Sequence, residues 1–382
     1  MPVNTDILII GGGIIGSCCA FFLAREGVKV VLVERSTIAS GTSSAGEGNI
    51  LVSDKLPGPE LTLAQLGRRL WQDLANELSD DFEFDAKGGI LVAETAADLT
   101  SLAQHTHLLQ NTSVTARLLT NPELHKLEPH LAHDIAGATL FPEDAQGHPP
   151  SACRALVKNA QQHGLTLLEH TEVLAIERNA QGAISSAVTN NGTISTPCII
   201  NAAGPWSKQV AALVGYNLPI LPRKGHLLVT APLPTHIYHK IAEVGYTTTV
   251  TQAQNDLQVA AIVESTRSGN VLLGSSRQFV GFDETIEPRV VQAILQRAQR
   301  FFPVFNPAPA FHVRIGFRPY SPDHLPIIGA VPDIPGFYIN SGHEGAGFGL
   351  GPASAQLLSQ LILKRPGTMN LAPFQPARFR QE

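Results

Sequence analysis

Four consecutive apolar residues, Ile7 to Ile10, run into three glycines; an apolar stretch then continues past Phe22, and a second apolar run closes on Glu34. Read by period, this is a strand, a glycine turn, a helix and a second strand that ends on an acid. Leu63, Leu66, Leu70, Leu74 and Leu78 recur at helical spacing within Leu61 to Leu78, so that stripe needs burial and Trp71 inside it reads as packing. Gly88 to Ala93 reads as a strand. The charge-rich run to Glu128 reads as helices and connections outside the first sheet, and Ser151 to His163 is again helical. Leu165 to Ile176 is a candidate pair of strands. After the Asn190-Asn191-Gly192 turn, Thr193 to Gly204 is expected as one apolar strand running into Pro205. Strand, helix and strand resume their first order here, so the N-terminal domain is expected to be discontinuous.

From about Leu218 to Phe282 the pattern changes to short strands punctuated by turns, RKGHLLVTA, QVAAIVE and NVLLGSS. This predicts a separate, mostly antiparallel sheet carrying the substrate face. Ile286 to Phe302 is a helix ended by Pro303. The chain then returns to glycine: a strand ends at Tyr338 and Ile339, a compact turn spans Ser341 to Gly351, and an amphipathic helix runs from Pro352 to Leu363. At 382 residues two domains are the default.

Charge and cysteine content narrow the class. Lys plus Arg number 27 against 32 Asp plus Glu, a formal net charge of -5, and no basic tract interrupts it, so nucleic acid is not an expected partner. Cys18, Cys19, Cys153 and Cys198 form no C-x-x-C pair, which disfavours a disulfide scaffold or a metal site and fits a reducing compartment. Ile7 to Phe22 is broken by glycines, lacks a charged leader and is too short to span a bilayer. The expectation is a soluble, cytoplasmic protein without a transmembrane segment, with peripheral attachment to a membrane left open.

The N-terminal unit carries the first chemistry. Gly11 permits the tight turn, Gly13 lets backbone approach a pyrophosphate, and Gly16 lets the helix lie close on the sheet. Glu34 stands where a carboxylate can accept hydrogen bonds from an adenosine ribose. The candidate cofactor residues here are Gly11, Gly13, Ile14, Ile15, Gly16, Glu34 and Arg35. This unit alone leaves NAD and FAD both open. The late strand, glycine turn and helix favour FAD, because a flavin needs backbone donors and a helix N-terminus near its pyrimidine end.

Beyond these single signals, the ordered blocks DILIIGGGIIG with Glu34, ASGTSSAG, TEVLAI, IINAAGPWS, LPRKGHLLV, NVLLGSSRQFVGFDET, GFRPYSPDHLPIIG and GFYINSGHEGAGFGLGPASA span nearly the whole chain. Together they resemble the FAD-dependent D-amino-acid oxidase and dehydrogenase superfamily, in its glycine oxidase, sarcosine oxidase and amino-acid dehydrogenase branch. Within it the pattern is most similar to catalytic subunits of D-hydroxyproline and opine dehydrogenases, with hydrogen cyanide synthase subunits nearby. The resemblance implies an α/β fold: a Rossmann-like FAD-binding domain from residues 1–85, 145–215 and 320–382, and an α+β substrate-binding domain from residues 86–144 and 216–319.

By the same resemblance Thr42, Ser43, Ser44 and Gly46 pass beside the isoalloxazine and pyrophosphate, and Val173 meets the adenine through its backbone. Ala203, Gly204 and Trp206 border the dinucleotide, and Gly342, Gly345, Ala346 and Gly347 belong to the turn that brings N–H groups toward the flavin. Arg318 is the implied clamp on a substrate carboxylate, since a guanidinium is a planar, two-pronged donor. His343 and Glu344 are candidates for orienting an amine or ring hydroxyl, with a satisfied hydrogen-bonded position as the alternative; Tyr246 is a candidate second carboxylate contact. Two departures stand out. Gly41 to Gly46 holds no His or Cys and Arg318 to Gly329 no Cys, so FAD is expected to be noncovalent, and His226 stands where the branch often has glutamine. The implied function is oxidation of the C–N bond of a small amino or imino acid by hydride transfer to flavin N5. Its electrons would pass to a quinone or to partner subunits of a hetero-oligomer. The alternatives are an oxidase releasing hydrogen peroxide and an FAD-bearing electron-relay subunit.

Overall fold

The computed structural model describes residues 3–234, 237–245 and 257–379. Its first sheet has six strands in the order Ile327–Ala330, Phe337–Ser341, Ile199–Asn201, Ile7–Ile10, Val30–Val33 and Thr166–Leu168. All pairs are parallel except the outermost, Ile327–Ala330 with Phe337–Ser341. Ile7–Ile10 and Val30–Val33 are buried throughout, as unbroken apolar runs in a sheet covered on both faces must be. Alternation assigns the faces. Ile7, Ile9, Val30 and Leu32 join the core under the helices Ile14–Arg25, Pro149–Gln162 and Gly347–Ile362. Leu8, Ile10, Val31 and Val33 pack instead with Ile176, Ala187 and Ile194 of a four-stranded sheet on the other side.

The first turn depends on two glycines. Gly11 has φ +109, and a Cβ there would lie 2.6 Å from the Ala202 carbonyl oxygen. A Cβ on Gly16 would run into the carbonyl oxygen of Gly11, so helix and turn meet backbone to backbone.

The second large sheet has eight strands, ordered Phe311–Tyr320, Leu221–Thr230, Val271–Arg277, Gln258–Ser265, Lys240–Glu243, Gly89–Ala93, Gly137–Phe141 and Arg117–Leu119. It is antiparallel apart from the pair Lys240–Glu243 and Gly89–Ala93. The helix Pro288–Phe301 covers one face through Val290, Ile294, Ala298 and Phe301. Fold class agrees with the expectation of an α/β architecture with a mostly antiparallel second sheet. Among the described residues no helix is long and apolar enough to cross a membrane.

Three expected elements differ. Thr193 to Gly204 is two strands, not one: Gly192–Ser195 joins the four-stranded sheet and Ile199–Asn201 the six-stranded one. Pro197 stands between them, and a residue without an N–H cannot carry a ladder across. Leu165 to Ile176 likewise splits between sheets, turning at His170 with φ +52. The late helix starts at Gly347 and contains Pro352. Proline there leaves the Phe348 carbonyl without its intrahelical donor, and Trp71 Nε1 donates to that oxygen at 2.9 Å. Trp71 is fully buried in the helix Pro59–Glu77 and stacks on Phe348, with ring centroids 4.5 Å apart.

Candidate active site

A cavity of about 610 Å³ is lined by residues of both large sheets and their connections, among them Glu34, Arg318 and Glu344. The N-terminal turn forms its first wall. Glu34 follows the buried Val30–Val33, and its two oxygens accept from Gly12 N at 2.8 Å and Ser36 N at 2.9 Å. Ser43, from the Ser/Thr/Gly-rich stretch, reaches back to accept from Ile14 N at 2.9 Å and so caps the first helix from 29 residues away. Thr42 Oγ1 donates to Phe317 O at 2.6 Å, fastening the same stretch to the strand that carries Arg318. The late glycine turn is tied to the segment after Ile199–Asn201 as well: Ser207 and Ser341 hydroxyls lie 2.8 Å apart, and Ser341 donates to Gly204 O at 3.1 Å. The Arg35 guanidinium lies 4.0 Å over the Trp206 ring, whose other neighbour is Phe282 at 5.2 Å in a parallel stack.

On the second sheet, ladder pairing sets Arg318 directly opposite Arg223. Arg318 Nη1 donates to Ser276 O at 2.9 Å, and its guanidinium lies over Gly225, where a Cβ would collide with Nη1. Like charges in register need an anion between them, and Glu344 supplies it. Its carboxylate is 3.3 Å from Arg223 Nη1 and 3.5 Å from Arg277 Nε, both arginines being buried. Burial pushes the Glu344 carboxyl up, but Arg277, Arg318 and Arg223, with the N–H of Gly345, bring it down to about 2. Its neighbour His343 is held to about 3 by burial and is therefore neutral, with Nε2 at 3.1 Å from Ser354 Oγ.

Of the residues expected from sequence, Gly11, Gly13, Ile14, Ile15, Glu34, Arg35, Thr42, Ser43, Gly46 and Val173 line this one cavity. So do Ala203, Gly204, Trp206, Arg318, His343, Glu344, Gly345 and Gly347. Gly16, Ser44, Gly342 and Ala346 are outside its lining; Ser44 Oγ instead bonds Gly41 O at 2.8 Å. Tyr246 lies outside the described residues. The cavity also takes in Glu47, Asn49, Gly225, His226 and Ser275, to which sequence reasoning gives no role. The sequence signal for Glu47 and Asn49 is slight: they follow Gly46 in the same polar stretch.

The profile of the DAO family, FAD dependent oxidoreductase, matches residues 6–361. The chain belongs to this family. A glycine oxidase from Geobacillus kaustophilus is 30% identical over 99% of this chain and 98% of its own length. The crystal structure of glycine oxidase from that species superposes with a TM-score of 0.89 at 28% identity, covering 99% of this chain and 100% of that one. Hydrogen cyanide synthase subunit HcnC from Pseudomonas aeruginosa is 26% identical over 99% of this chain and 97% of its own. Iminodiacetate oxidase from a Chelativorans species matches with a TM-score of 0.84 and 25% identity, over 97% and 99% of the two chains.

As a DAO-family flavoenzyme the protein binds FAD, and the residues present fit that group. Gly13, at the N-cap of the first helix, lines the cavity without a side chain of its own, Ser43 takes the Ile14 N–H beside it, and Glu34 on the same wall retains acceptor capacity. Among the described residues no group of three or more His, Cys, Asp or Glu is arranged to hold a metal ion.

Proposed function

We propose that this enzyme oxidises the carbon–nitrogen bond alpha to the carboxylate of a small amino or imino acid and passes the electrons to an acceptor other than oxygen. The observation that carries the reading is Arg318: a guanidinium on the wall of the cavity that Glu34 also lines, given room by Gly225. Such a group suits a substrate carboxylate. Glu344 and the Ser276 carbonyl would hold Arg318 in position, and His343, neutral and buried, would serve as packing rather than as a base. Bound FAD would supply the acceptor for the hydride leaving the α-carbon. Gly11, Gly13, Ser43 and the helix N-terminus are the proposed pyrophosphate contacts, Glu34 the ribose contact, and Val173 the adenine contact. Residues 1–85, 145–215 and 320–382 form the proposed FAD-binding domain, which is supported by the three segments that build the six-stranded sheet.

A D-configured or N-substituted amino acid, such as a D-hydroxyproline-like secondary amine, is the preferred substrate. The likeness to a protein named iminodiacetate oxidase, which carries an N-substituted amine in its name, supports that preference. Likeness to a hydrogen cyanide synthase subunit supports electron transfer to a partner protein or quinone within a hetero-oligomer. The glycine oxidase at 30% identity favours a second reading, an oxidase that releases hydrogen peroxide. Admitting air to the substrate-reduced enzyme separates them. Slow reoxidation without peroxide supports the first reading, and reoxidation at the rate of turnover with one peroxide per substrate supports the second.

The FAD is proposed to be noncovalent. Cys18, Cys19 and Cys153 are buried and Cys198 nearly so, and burial pushes Cys19, Cys153 and Cys198 up to about 12, leaving little thiolate for attack on a flavin. None lines the cavity. Acid precipitation should leave all flavin in the supernatant; yellow protein in the pellet would contradict the assignment.

A further inference from the structure

Amino-acid oxidation in the cavity, the reading on which this inference rests, creates a proton problem. An amino acid arrives at neutral pH as an ammonium, and hydride leaves the α-carbon readily only once the nitrogen lone pair is free. One proton must therefore depart before the chemistry. Glu47 is the carboxylate positioned for it. It packs over Gly274, two residues along the same strand from the Ser276 carbonyl that Arg318 engages. Both points lie on the strand Val271–Arg277, so a substrate whose carboxylate meets the guanidinium can turn its ammonium toward Glu47.

Glu47 also lines a second cavity of about 150 Å³ on its other side. It thus stands in the wall between the two spaces. Its Oε2 accepts from Asn49 Nδ2 at 2.7 Å. The buried Lys240 ammonium lies 3.7 Å from that same oxygen and 3.4 Å from Glu264 Oε2, and it donates to Asn49 Oδ1. Glu47 and Glu264 thus share the one Lys240 ammonium, and burial pushes the Glu264 carboxyl up against the pull of that ammonium. Beyond Glu264 stand Lys87 and Asp85, of opposite sign. Arg318, Glu344 and His226 share the main cavity with Glu47. His148, Arg314 and Asp85 line the second cavity, and Glu83, Arg267 and His312 complete its titratable groups.

We propose that Glu47 accepts the ammonium proton of the substrate from the main cavity and releases it to water in the second cavity. The N–H bond of the ammonium breaks as an O–H bond forms on Glu47. With the lone pair free to become the second bond of C=N, bound FAD would supply the acceptor for the hydride from the breaking α C–H bond, and the iminium would be hydrolysed in water. Substrate and proton use different exits.

The test compares the FAD-loaded wild type with Glu47→Gln, Glu47→Asp and Ser268→Trp, the last narrowing the second cavity from its rim. Flavin bleaching by glycine, sarcosine, D-proline and iminodiacetate is followed without air from pH 6.5 to 9.5. Glu47→Gln should bleach about 100-fold more slowly at pH 7 and recover about tenfold per pH unit as free amine becomes available, while Glu47→Asp keeps the wild-type profile at a lower rate. A second readout needs no turnover. 2-Methylalanine has no α-hydrogen, and its binding should release a proton to the buffer from the wild type but not from Glu47→Gln, measured by calorimetry in buffers of different ionisation enthalpy. Ser268→Trp should delay proton appearance with FAD content unchanged. A Glu47→Gln rate lowered equally at every pH, or unchanged proton release in both Glu47→Gln and Ser268→Trp, overturns the proposal. If neither the reactive compounds bleach the wild type nor 2-methylalanine perturbs its flavin spectrum, the amino-acid reading falls and takes the proposal with it.

Discussion

Arg318→Ala is expected to lower kcat/KM for small carboxylated amines by about 30- to 5,000-fold, the rate equivalent of the roughly 2 to 5 kcal/mol lost when a charge-assisted partner is removed. FAD content should hardly change, because the proposed nucleotide contacts, Gly11, Gly13, Ser43 and Glu34, all belong to the N-terminal unit and not to the strand that carries Arg318. Arg318→Lys should recover little. A lysine ammonium is a point charge on a flexible stem, whereas the guanidinium already spends one donor on the Ser276 carbonyl and keeps others in a fixed plane above Gly225. Full activity of Arg318→Ala at subsaturating substrate would remove the clamp from the account.

Glu344→Ala is expected to destabilise the protein by about 3 to 5 kcal/mol, read as a lower thermal midpoint, because it takes away a carboxylate shared by two buried guanidiniums. The effect depends on pH in a defined direction. The folded carboxyl titrates at about 2 against an ordinary value of 4.5. Its contribution is therefore fully present above pH 4.5 and fades as pH falls toward 2. Wild type and Glu344→Gln should differ most at neutral pH and converge in acid; a gap that stays constant down to about pH 2 would show that the carboxylate charge is not what matters. Substrate affinity should fall as well, since Arg318 and Arg223 then face each other across the ladder without the intervening anion.

The wall proposed to face the nucleotide is legible in the sequence because it depends on local backbone. Gly11, Gly13 and Glu34 announce themselves by spacing, and the apolar runs on either side leave one way to pair them. Trp71 reads correctly as packing, but its bond to the Phe348 carbonyl is not legible: it exists because Pro352 withdraws a donor from a helix 281 residues further on. The splitting of Thr193 to Gly204 turns on a single proline inside an apolar run. The arginine cluster around Glu344 is harder still. Arg223 and Arg277 reach Glu344 only through ladder register in a sheet whose strands are far apart in sequence, and no periodicity reports register. Glu47 is hidden for the same reason, its meaning coming from Gly274 and Lys240 on other strands.

The most direct measurement mixes the FAD-loaded enzyme without air with glycine, sarcosine, D-proline and iminodiacetate, and in parallel with methylamine, dimethylamine and pyrrolidine, which lack the carboxylate. The oxidised flavin absorbance is followed. At least one carboxylated amine should bleach it rapidly, while its carboxylate-free counterpart leaves it oxidised. A flavin untouched by every carboxylated amine, even with electron-accepting partner subunits restored, or bleached equally well by the simple amines, would contradict the assignment.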